Sequence, residues 1–210
     1  MNIHKTAILE KSVSVGKNVE IGPFSQILGN VQIGDNVKIK SNCVIGAEAD
    51  QPRAERLGDQ SGNIIIENDC VIKDSVIISK PTLTEITKIG SHSYLMSGAY
   101  IAHDSVLGKN VIISHGARLS GYTTVNDFSN IGANATTHQK TTIGMCVMVG
   151  ANSFVKGELK SGLIYVEKNK IIGVNIIGIE NADLTLNDKQ KILDEANKYI
   201  NLSFLLLYIY

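Results

Sequence analysis

An aliphatic residue returns at every sixth position along most of this chain. The series runs Ile3, Leu9, Val15, Ile21, Ile27, Ile33, Ile39 and Ile45, and resumes after an interruption as Ile89, Leu95, Ile101, Leu107, Ile113, Leu119, Val125, Ile131, Thr137, Ile143, Val149 and Val155. Thr137 is the one member of the second run that is not aliphatic, and His138 follows it. A six-residue period matches neither the 3.6 of a helix nor the 2 of a strand. It calls for short units that stack on one another to bury a continuous core.

Four residues after each aliphatic position stands a small or modest side chain: Val13, Val19, Ser25, Val31, Val37 and Cys43, then Ser93, Ala99, Ser105, Val111, Ala117, Thr123, Ser129, Ala135, Thr141, Val147 and Ser153. Glycine often follows the aliphatic residue directly, as at Gly16, Gly22, Gly90, Gly108 and Gly132. One large inward residue, one small inward residue and a turn-permissive glycine describe one side of a triangular coil, with glycine expected at corners for its backbone freedom. Three sides close a turn, and the turns stack into parallel sheets. The pattern resembles the left-handed parallel β-helix, an exception to the right-handed crossover rule, so the fold class is all-β, closed by a short C-terminal α-helix.

The beat breaks twice. Residues 47–63 are polar, carry Pro52 and two glycines, and read as a loop excursion from a corner. A shorter slip covers 79–88, with a turn at Lys80-Pro81. Loops on a rigid repeat are where binding groups gather, although surface loops also accept insertions cheaply. The expected organisation is a coil domain over residues 1–160 and an exit segment with a C-terminal helix over 161–210. The coil pattern ends near Val155, and Asn187 with Gln190 reads as a capping box for a helix over 188–200. The apolar ending NLSFLLLYIY is expected to pack on the coil or a neighbouring subunit, and is too short to span a bilayer.

Twenty basic and twenty acidic residues balance to zero net charge without a dense basic run, which argues against nucleic acid as a partner. No signal peptide or transmembrane segment is read. Three cysteines without a CxxC pair argue against both disulfides and zinc, and a cytoplasmic localisation is expected.

His103 stands two places after the inward Ile101 and is expected to point outward, with Asp104 able to fix its tautomer. His138 lies 35 residues on, one short of two coils, near the same edge. A carboxylate-held histidine suits deprotonation of a hydroxyl or amine nucleophile. An outward His-Asp pair is also a common surface feature, so the pair alone leaves catalysis open.

Residues 87–155, from TKIGSHSYLMSGAYIAHDSVLG through GYTTVNDF and GANATTHQKTTIG to VMVGANSF, together with the opening IHKTAILEKSVSVGKNVEIGPFSQI and the GVNIIGI segment, resemble the UDP-N-acetylglucosamine acyltransferases of lipid A (lipopolysaccharide) biosynthesis, a family of hexapeptide-repeat enzymes. The resemblance implies a homotrimeric acyltransferase with no bound cofactor or metal, using acyl carrier protein (acyl-ACP) or CoA (acyl-CoA) as co-substrate and a nucleotide sugar as acceptor. It implies His103 as general base, Asp104 as the residue orienting it, and the Gly121 N–H as oxyanion donor. His138, Gln139 and Asn175 match substrate contacts. Tyr100 and Tyr122 replace two histidines of the family site, and Arg53 stands in for a loop lysine. The family's basic residues after the GVN segment have no counterpart in IGIENADL, and its longer C-terminal helical domain is absent from this sequence. Three alternatives follow: an acetyl-CoA-dependent N-acetyltransferase of surface-polysaccharide sugars, a non-catalytic scaffold, and a trimeric zinc hydratase, which would need three converging imidazoles.

Overall fold

The computed structural model describes residues 2–51 and 62–207. Its strands, mostly two residues long, form three sheets of ten, eight and eight strands. The first sheet starts at Asn2–Ile3, the second at Ile8–Leu9 and the third at Ser14–Val15. Successive strands go to successive sheets, and each pairs in parallel with the strand one coil later, as Ile101 does with Leu119. This is the left-handed parallel β-helix that the period called for.

Both inward positions are filled as expected. Ile27, Ile45, Leu95, Ile101 and Leu119 are fully buried, as are the small residues Ser25, Cys43, Ser105 and Ala117. Like stacks on like, and each large aliphatic buried this way contributes roughly 1.5–3 kcal/mol.

The glycines play a different part from the expected one. Most residues in the left-handed region lie three places after the aliphatic position and are not glycine, Asn18, Asn36, Asn42, Asp104, Asn110, Tyr122, Asn134 and Asn152 among them; Gly46, directly after Ile45, is a glycine that does take a positive φ, 94°. Asparagine and aspartate enter that region at modest cost. The glycines directly after the aliphatic residues are instead needed for close approach of the next coil. A Cβ on Gly90 would lie 2.2 Å from the carbonyl oxygen of Gly108.

Register measures the two interruptions. Ser14 pairs with Gln32, 18 residues on, but Val31 pairs with Ile64, 33 residues on, so 15 extra residues leave the coil between them. Ile66 pairs with Ile89, 23 residues on, so five extra residues leave it near 81–85. Arg53 and most of the first excursion lie outside the described residues.

The parallel stacking outlasts the aliphatic series. Leu163–Val166 still pairs in parallel with Met148–Val149, and Lys170–Val174 then turns back antiparallel on it. A six-residue helix, Ile176–Asn181, follows, and the C-terminal helix spans Leu186–Leu207. That helix begins two residues before the expected start and runs past 200. Its cap is Thr185, whose hydroxyl accepts from the Asp188 N–H at 3.2 Å, not Asn187. Ala196 is buried in the coil's core cluster, Tyr199 and Ile200 pack against that cluster, and the helix lies against Lys170–Val174 at the end of the prism. A sheet edge left open there would invite another chain. No helix is long and apolar enough to cross a membrane among the described residues.

Candidate active site

The five-residue excursion changes the setting of His103. The side chain was expected to point outward from the coil, yet residue 103 is only 3% exposed and Asp104 4%. Both occupy the corner between the second and third sheets, and residues 82–84 fold over them. The Asp104 carboxylate accepts from the Thr84 N–H at 2.7 Å, the Leu83 N–H at 3.2 Å and the Thr82 N–H at 3.0 Å. It also accepts from the hydroxyls of Thr82 at 2.6 Å and Thr84 at 2.5 Å. The Asp104 N–H donates to the Thr87 hydroxyl at 3.0 Å.

His103 Nδ1 stands 2.7 Å from Asp104 Oδ2. Burial alone would raise the carboxyl, but the hydroxyl and N–H donors of Thr82 and Thr84, with His103, outweigh it and hold Asp104 at about 2. An ionised carboxylate only accepts, so the imidazole proton sits on Nδ1 and the Nε2 lone pair is left free. Nε2 faces the backbone of Gly121: a Cβ there would lie 2.6 Å from Nε2 and 2.4 Å from Cε1. Gly121 is buried, and its N–H meets no acceptor among the described residues. A proton acceptor and an unengaged backbone donor therefore meet at one corner.

Tyr122 packs edge-on against His103, with ring centroids 5.2 Å apart, and its hydroxyl is 3.2 Å from Thr82 Oγ1. Tyr100, on the strand leading into His103, accepts from Ser79 at 3.3 Å and donates to Asp50 at 3.4 Å. Burial, with the Asp50 charge beside it, pushes this phenol up.

The register Ile101–Leu119 and Arg118–Thr136 puts His103, Gly121 and Gln139 at equivalent places in successive coils, with His138 beside Gln139. His138 and Gln139 are exposed and about 10 Å from His103, two strand spacings along the prism. The His138 ring lies edge-on to Phe154 at 6.2 Å. Between the two histidines, Thr137 is buried, and its hydroxyl accepts from the Ser120 N–H at 2.9 Å and meets Thr123 Oγ1 at 2.8 Å. The break in the aliphatic series thus reroutes a ladder bond one residue before Gly121.

Asn175 is not brought to this corner. It caps the short helix, accepting from the Gly178 N–H at 3.2 Å and donating to the Cys146 carbonyl at 2.9 Å. Cys146 lies at the corner between the third and first sheets, a different edge of the prism. Thr82, Thr84, Thr87, Ser79 and Asp50 were missed by sequence reasoning. The phase slip at 79–88 was the one signal available for the threonines. Burial pushes the Cys70 and Cys146 thiols up to about 11, which leaves them poor nucleophiles. Among the described residues no three His, Cys, Asp or Glu side chains gather to hold a metal ion.

A family model described as bacterial transferase hexapeptide (six repeats) matches residues 12–47 and 86–121. The chain is 31% identical over 200 residues to the acyl-(acyl-carrier-protein)-UDP-N-acetylglucosamine O-acyltransferase of Aliarcobacter butzleri (strain RM4018), covering 85% of this chain and 75% of the relative. It is 29% identical over 182 residues to the enzyme of that name from Campylobacter concisus (strain 13826), covering 85% and 68%. Its fold is shared with the UDP-N-acetylglucosamine acyltransferases of Bacteroides fragilis 9343 (TM-score 0.80, 24% identity, 93% of this chain and 82% of that one) and Campylobacter jejuni (TM-score 0.79, 21% identity, 90% and 81%).

Proposed function

Because the chain belongs to the family of acyl-(acyl-carrier-protein)-UDP-N-acetylglucosamine O-acyltransferases, we propose that it moves an acyl group from a thioester to a hydroxyl of a nucleotide-activated amino sugar, with His103 as general base. The observation that carries this reading is the buried His103–Asp104 pair with its free Nε2 against Gly121. In the reaction Nε2 takes the acceptor hydroxyl proton as the oxygen attacks the thioester carbon. The oxyanion so formed accepts from the Gly121 N–H, a contact of a kind worth about 3 kcal/mol. The intermediate collapses to an ester and expels the thiolate of acyl carrier protein or CoA, which recovers the proton from the imidazolium.

His138 and Gln139, exposed two coils along the same corner, bind the acceptor, and Tyr100 and Tyr122 flank the base. Asn175 lies on another edge of the prism, so it reaches a site at His103 only from a neighbouring copy. This supports a homotrimer with sites between subunits. The three buried thiols are unpaired, which suits a reducing cytoplasm.

One observation favours a smaller acyl group. The helix after Asn175 has no basic residue in its last turn, and both flanking aromatics are uncharged phenols. Acetyl transfer from CoA to a sugar amine is the second reading. A panel of UDP- and dTDP-linked amino sugars, tested with hydroxyacyl carrier protein and with acetyl-CoA, separates the two. If wild type and His103→Ala turn over every pair equally, the enzyme reading fails.

A further inference from the structure

Resting on His103 as the base, we propose that Thr82 and Thr84 are positioning residues for the transfer: the five-residue excursion clips the Asp104 carboxylate so that one lone pair of Oδ2 is aimed at His103 Nδ1. The grip is made at both oxygens. Oδ1 accepts from the Thr84 N–H at 2.7 Å and the Thr84 hydroxyl at 2.5 Å. Oδ2 accepts from the Thr82 hydroxyl at 2.6 Å and from His103 at 2.7 Å. A carboxylate offers about four lone-pair sites, so these bonds leave it no other well-aligned orientation.

The proton inventory fixes direction as well as place. Thr82 has one hydroxyl proton and gives it to Asp104, so at 3.2 Å it accepts from the Tyr122 hydroxyl. The hydroxyl protons of Thr82 and Tyr122 and the ring proton of His103 then run toward the Asp104 carboxylate, and Nε2 is the position without one. The Asp104 N–H bond to Thr87 holds the residue from its backbone side, in the left-handed region at φ 61°. An excursion that turns two hydroxyls and three N–H groups onto one buried carboxylate has the geometry of a device for that carboxylate.

The clip also shares the carboxylate charge among several donors, which weakens its pull on a protonated imidazole. The other titratable side chain touching the ring among the described residues is the Tyr122 phenol, which brings no positive charge. Lys140, exposed, is the charged residue two coils along the row, and Lys80 beside the excursion pairs with Glu48 at 2.7 Å.

The experiment is the pH profile of kcat/KM for Thr82→Val, Thr84→Val and the double variant, with Thr82→Ser and Thr84→Ser as conservative controls and His103→Ala in the same assay. Each valine is expected to lower the plateau roughly 10-fold and to move the acid limb upward by about half a pH unit, as the less-shared carboxylate holds the ring proton more tightly. The serine variants are expected to keep the wild-type limb. A limb that stays in place in both single valine variants overturns the proposal, because a merely structural role lowers the plateau or the melting temperature without moving it. Retained turnover in His103→Ala overturns the base assignment itself, a separate outcome. If the double variant does not fold, the singles decide.

Discussion

Gly121→Ala tests the corner most directly, because it adds one carbon where the structure has no room. The new Cβ would lie 2.4 Å from His103 Cε1, 2.6 Å from Nε2 and 3.1 Å from Nδ1. Carbon contacts are ordinarily 3.5–4.0 Å, so ring and methyl must part by about 1 Å. The Gly121 backbone lies outside the left-handed region, so space alone is at issue. The ring has nowhere easy to go: it is buried and tied to a carboxylate that Thr82 and Thr84 hold in turn. Overpacking of this kind costs about 1–3 kcal/mol of stability. A 1 Å misplacement of a reacting group lowers the rate about 100-fold, equivalent to about 2.7 kcal/mol of barrier. The assay is kcat/KM for thioester turnover alongside thermal unfolding, on Gly121→Ala, His103→Ala and the double variant. In the double variant the small residue at 103 makes room for the methyl, so most of the lost stability should return and activity should fall no further than in His103→Ala. Gly121→Ala with wild-type kcat/KM, or a double variant losing both effects in full, would refute the reasoning.

Asp104→Asn, whose amide must present donors to the donors of residues 82–84, should lower kcat/KM about 100-fold while the protein stays folded, read from steady-state kinetics beside circular dichroism. Asp104 also sets an acid dependence. Its carboxyl is held at about 2 in the fold, below the ordinary unfolded value near 3.9, so its stabilisation is present above the unfolded value and lost as pH falls through the folded one. The urea-derived stability gap between wild type and Asp104→Asn should therefore shrink by about 2 kcal/mol between pH 6 and pH 2; an unchanged gap contradicts the assignment. Thr137→Val leaves the half-buried Ser120 N–H without its 2.9 Å acceptor and should cost about 1 kcal/mol in chemical denaturation, although valine suits the aliphatic series better. Thr185→Ala removes the cap of the C-terminal helix and should cost about 1 kcal/mol by the same measurement.

The scaffold was legible because every coil repeats the same local rule, and Ile27, Ile101 and Leu119 obey it wherever they stand. The pairing of His103 with Asp104 was legible too, since neighbours in sequence are neighbours in space. The role of glycine was misread for a physical reason: a single strand of letters shows a turn-permissive residue but not the coil passing 2.2 Å from where the Gly90 Cβ would be. The helix cap was placed two residues late because Thr185-x-x-Asp188 and Asn187-x-x-Gln190 are both plausible boxes, and the packing of Ala196 and Tyr199 on the prism end chooses between them.

By itself the sequence determined the prism, its inward residues and the corner that holds the histidine, because a six-residue beat with an inward aliphatic has one stacked solution. Only the tertiary structure decided that this histidine is buried. Thr82 and Thr84 stand 22 and 20 residues before Asp104, and nothing in their letters aims them at it. A slip of five residues within a coil brings them over that corner, and the cost of burying a carboxylate without donors makes the contacts specific.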